Sequence, residues 1–122
     1  MASLVVNTGR SIITNRIRGT GTEPVFSAWG TGAGTAAAAD TTLFTEGPEA
    51  RVTGTSSQVT TTTTGDTYRV VSTITASAAR AVTNHGLFDA SSAGNLYAKS
   101  DFAVINLATS DSIQFTDNVT FS

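Results

Sequence analysis

The stretch DSIQFTDNVTF, residues 111–121, alternates with a period of two. Ile113, Phe115, Val119 and Phe121 share one parity, and Gln114, Thr116, Asn118 and Thr120 share the other. Successive side chains of a strand point to opposite faces, so this pattern predicts a β-strand with one face buried and one face wet. It closes a block, Val82 to Phe121, that reads as strand 81–89, the loop ASSAGN at 90–95, strand 95–102, a tight connection through Asn106 to Ser110, and the final strand. The rest of the chain must pack on this block or pair with it.

Moving outward, Thr67 to Ala76 places Tyr68, Val70, Ile74 and Ala76 on one parity, and Gly65-Asp66 before it suits a two-residue hairpin turn. Two further strands are predicted at 50–55 and 58–64, joined near Ser56-Ser57. The threonine run Thr60–Thr64 is placed in the second of them because β-branching favours extended backbone. Val25 to Trp29 adds another strand. Seven or eight short strands with frequent turn signals, and no alternation of strand with helix, predict an all-β fold. The expected architecture is a single antiparallel β-sandwich, jelly-roll-like or a small barrel, spanning residues 1–122.

One short N-terminal helix is predicted at about 8–18. Asn7 or Thr8 can cap its first turn, Gly19 suits a left-handed residue past its end, and Arg16 and Arg18 complement the negative end of its dipole. Ile13 and Ile17, with Ile12 beside them, give a narrow apolar stripe. The helix either covers an open edge or end of a sheet or, through Arg10, Arg16 and Arg18, anchors an acidic partner. GTGAGT, residues 30–35, opens a glycine- and alanine-rich loop that runs to Asp40. It lacks the spacing and the Lys-Ser/Thr of a phosphate-binding loop, so a flexible or interface loop is expected.

Only 13% of residues are charged, about half the usual share, while threonine supplies 23 positions. So little charge suits a surface that lives against neighbours. A net charge of −2 argues against a general nucleic-acid binder. No cysteine is present to form disulfides or thiolate metal sites, and no apolar run approaches the roughly 20 residues of a membrane span. The start of the chain lacks the apolar core of a signal peptide, which predicts folding in a cytosol.

No catalytic constellation emerges. His85 is the sole histidine, no Gly-x-Ser-x-Gly elbow presents a nucleophile, and a structural role is expected for His85. No metal or cofactor is expected. Asp117 lies on the apolar parity of the last strand, where a free charge is costly. A bulge or an end-of-core position is the reading adopted for it, with pairing to Arg69 or Arg51 the alternative. Trp29 is either an exposed interface anchor or a core residue under the sheet. Together with Thr31 and Thr35 of the loop it joins Arg10, Arg16 and Arg18 as the candidate interface.

Four stretches also carry a resemblance: Asn7–Arg10 (NTGR), Trp29–Thr35 (WGTGAGT), Gly86–Phe102 (GLFDASSAGNLYAKSDF) and Asp111–Thr116 (DSIQFT). On these the chain resembles small bacteriophage virion proteins, variously capsid decoration (cement) or tail-fibre-like proteins. The resemblance implies a non-enzymatic virion component. Its partners would be the major capsid protein and other copies of itself, it would contact no nucleic acid or membrane, and it would assemble in the host cytoplasm. The main expectation is a decoration protein on the outside of the head. A tail or tail-fibre component that contacts the host surface is the alternative.

Overall fold

The computed structural model describes residues 3–122 and places two antiparallel sheets face to face. In chain order the elements are β1 (Leu4–Val5), α1 (Asn7–Ile17), β2 (Phe26–Gly30), β3 (Val52–Thr53), β4 (Thr55–Val59), β5 (Thr67–Thr75), β6 (Arg80–Phe88), β7 (Leu96–Leu107) and β8 (Ser112–Thr120). One sheet runs β1-β7-β6-β2-β3 and the other β4-β5-β8. The fold is therefore an open β-sandwich, with eight strands and one short helix among the described residues, as the strand count and turn spacing predicted.

The layer between the sheets follows from strand parity. Val70 and Ile74 of β5 and Phe115 and Val119 of β8 face Trp29, Val82, Leu87 and Ala98 of the larger sheet, and all are buried. Ser72 donates to Ser27 across the same layer at 2.7 Å, so its buried hydroxyls are paired. Phe121, expected in this row, is 49% exposed, because β8 ends at Thr120 and the parity outlasts the sheet.

Other boundaries shift for identifiable reasons. The expected join near Ser56-Ser57 lies at Gly54. There the chain leaves β2 in one sheet for β5 in the other, held by Gly54 N–H donating to the Val25 carbonyl at 2.7 Å. The threonine run is not strand. The Asp66 carboxylate accepts the backbone N–H groups of Thr61, Thr62 and Thr63 at 2.8–2.9 Å and folds them into a turn. These bonds, Thr63's foremost, hold the Asp66 carboxyl well below the usual carboxylate range. The hairpin between β4 and β5 is thus longer than a two-residue turn, and β7 extends to Leu107, beyond the expected 102.

The glycine- and alanine-rich loop proves to be a fitted strap across the outer face of the larger sheet. Leu43 is buried with Val6, Ala28, Phe88 and Leu96. Lys99, also buried, reaches from β7 to Asp40 Oδ2 at 3.0 Å and the Thr42 carbonyl at 2.9 Å, with its ammonium 3.2 Å from the centre of the Phe44 ring. Gly32 N–H donates to the Phe44 carbonyl at 2.8 Å, and Ala36 N–H to Asp101 at 2.9 Å. A Cβ on Gly34 would lie 2.6 Å from the Phe44 ring, so this glycine serves close approach. A segment whose polar groups find partners in the sheet is ordered, whatever its composition.

Candidate interaction surface

The helix α1 is set on β7 by its backbone. Val6 N–H donates to the Tyr97 carbonyl at 3.2 Å, and Thr8 Oγ1 donates to the Leu96 carbonyl at 2.6 Å. Gly9 packs directly on Tyr97, where an added Cβ would stand 2.1 Å from the carbonyl oxygen. The expected side-chain cap is absent. Val6 occupies the cap position, Thr8 is turned to β7, and the Asn7 N–H donates instead to Ala38 of the strap at 2.8 Å. The other end agrees with expectation, since Gly19 adopts φ 81° and its N–H bonds the Arg16 carbonyl. Ile12 enters the core between the sheets, Ile13 is half-buried, and Ile17 is 80% exposed.

Arg10, Arg16 and Arg18 are all exposed on this helix. Arg10 donates to Asn7 Oδ1 at 3.3 Å and Arg16 to the Gly21 carbonyl at 3.0 Å. Among the described residues none of the three meets a carboxylate. Three of the other four Lys and Arg residues do: Arg51 pairs with Glu46 at 2.9 Å, Arg80 with Glu49 at 2.8 Å and Lys99 with Asp40 at 3.0 Å. Arg69 is held by Asn118 at 2.8 Å. In a chain of net charge −2, α1 and its C-cap gather three of the seven basic residues on one exposed surface.

The other candidate residues separate. Trp29 is 1% exposed and belongs to the core. Its Nε1–H donates to Glu49 Oε1 at 2.8 Å, so it is no interface anchor. Thr31 is half-buried, with its N–H on the Thr45 carbonyl, and Thr35 is exposed on the strap.

Two features were missed from sequence. Beside the C-terminal half of α1 opens a cavity of about 330 Å³, walled by Ile13, Ile17, Tyr68, Tyr97 and Phe121, with Arg16 also lining it. Tyr68 and Tyr97 meet edge to face, 6.0 Å between centroids. Tyr68 Oη donates to Glu23 Oε1 at 3.1 Å. Burial, followed by the Glu23 charge, pushes the Tyr68 hydroxyl above its ordinary range. The sequence offered no direct signal, because Ile17 reads as part of the helix stripe and Phe121 as part of the core row.

The second feature is internal. Asp117 faces the core with no bulge in the register between β5 and β8, and its Oδ2 lies 2.6 Å from His85 Nε2. Ser3 Oγ donates to its other oxygen at 3.0 Å, while Arg69 and Arg51 are engaged elsewhere. His85 stacks on Phe115 with ring centres 3.8 Å apart, and its Nδ1 has no hydrogen-bond partner. The serine meets the carboxylate and not the imidazole, so these three groups are not in the order of a hydrolytic triad. They form a buried polar link between the sheets.

Comparison with protein-family models, curated proteins and solved structures returns no match.

Proposed function

We propose that this protein is a non-enzymatic capsid decoration protein, which binds the outside of an assembled phage head in many copies and stabilises the shell. The observation that carries the reading is α1. Its three exposed arginines lack carboxylates in a molecule that neutralises Arg51, Arg80 and Lys99 internally. Such a surface suits docking on an acidic partner, here the major capsid protein. Support also comes from the outer face of the smaller sheet, where Thr55, Ser57, Thr73, Thr75, Ser112, Gln114 and Thr116 present hydroxyls and amides with Arg69 as the one charge. A strand-borne surface with so little charge tolerates close neighbours of the same kind. The virion resemblance of the four sequence stretches points the same way. The mechanism is linkage: a ligand that prefers the assembled shell stabilises it by mass action.

Quantitative mass spectrometry of purified particles tests this. A copy number comparable to that of the major capsid subunit is expected, and a small fraction of it replaces the head reading with the tail one. Replacing Arg10, Arg16 and Arg18 together with serine is expected to lower particle affinity about tenfold at low salt and less at high salt. Unchanged occupancy overturns the role given to α1.

A further inference from the structure

We infer that the cavity between α1, Tyr68 and Phe121 seats an aromatic or branched aliphatic side chain carried on an acidic segment of the docking partner. This names the contact within the docking reading above and rests on it. A cavity of about 330 Å³ is at the lower end of the range for binding pockets, and its walls are mainly isoleucine and aromatic. Its mouth carries Ile17 at 80% exposure and Phe121 at 49%, two large apolar side chains left in water beside one another's pocket.

The charge around that mouth selects the occupant. The segment NTGRSIITNRI contains no Asp or Glu, and Arg18 follows it directly. Arg16 lines the cavity and uses Nη1 on the Gly21 carbonyl, which leaves further guanidinium N–H groups to meet a carboxylate. Glu23, the one carboxylate among the lining residues, is bonded to the Tyr68 hydroxyl. A peptide with acids flanking one apolar side chain therefore matches both halves of the site. A lipid surface matches it poorly, because α1 buries Ile12 against the sheets and presents no continuous apolar stripe.

The test uses the whole free protein with isoleucine methyl labels and a capped pentapeptide, one phenylalanine with two aspartates on each side. Saturable NMR shifts confined to Ile12, Ile13 and Ile17, weakened by salt, are expected. Arg16→Ser and Ile17→Ser, both at exposed positions, are each expected to weaken binding about tenfold. Replacing the peptide's phenylalanine with alanine should abolish the shifts, and so should replacing its aspartates with lysines. Equal binding by either control peptide, or shifts that map away from α1, overturns the inference. The two readings fail separately. Peptide binding without recruitment to particles sinks the decoration reading and leaves the pocket. Particle binding that needs the arginines but ignores Ile17→Ser sinks the pocket and leaves decoration.

Discussion

Glu49 ties together residues that are far apart in the chain. It accepts from Trp29 Nε1 at 2.8 Å, from Ser77 N–H at 3.1 Å and Oγ at 2.9 Å, and from Arg80 Nε at 2.8 Å. Burial pushes its pKa up, but the bonds from Trp29 and Ser77 outweigh burial and bring it from 4.5 down to about 2. A depressed carboxylate stabilises the fold above its unfolded pKa and loses that contribution as pH falls toward its folded one, so the window here is pH 4.5 to about 2. Glu49→Gln is expected to lower stability by about 2 kcal/mol at pH 7 and by almost nothing near pH 2, read from urea titrations at both values. Lys99 offers a second contrast. Asp40→Ala leaves its buried ammonium with the Thr42 carbonyl and the Phe44 ring but no carboxylate and is expected to cost about 2 kcal/mol, whereas Lys99→Met removes the charge with its needs and costs less in thermal unfolding. At this scale the sequence spoke only partly. Parity set Asp117 on the apolar side, but a bulge or end-of-core position was expected there, because its partner, His85, is distant in the chain and carried no local mark.

Among the elements, α1 depends on a contact that propensity rules would misjudge. Alanine favours a helix over glycine by about 1 kcal/mol. At Gly9 the added methyl would meet the Tyr97 carbonyl at 2.1 Å and lift the helix from β7. Gly9→Ala is therefore expected to destabilise by about 2 kcal/mol despite the better helix former, as a circular dichroism melt would show. The same distinction explains which elements were legible. The strand β8 declared itself because one face is core and the other is water. The strap over β7 and β6 did not, because a glycine- and alanine-rich composition looks alike whether the loop is mobile or fitted; its order comes from Lys99, Asn84 and Asp101, which lie far along the chain. The threonine run misled for a related reason: its intrinsic preference for strand is weaker than three amide bonds to one aspartate.

For the whole molecule, the fold class followed from strand count and spacing, but the division into sheets did not. Nothing in residues 50–60 says that the chain changes layer at Gly54, since the change is fixed by what β2 and β5 leave open. The pairing that results also imposes an order of events. Leu4 pairs with Lys99, Phe26 with Phe88, and Thr67 with Thr120, so early strands wait for late ones. The first hairpin to close locally is that of β4 and β5, and it is complete only at Thr75. A fragment ending at Phe88 lacks β7 and β8 and is expected to be cleaved by protease far faster than the full chain. During translation, the ribosome would release most of the apolar strands before any lasting partner exists, and assembly would come late and almost at once.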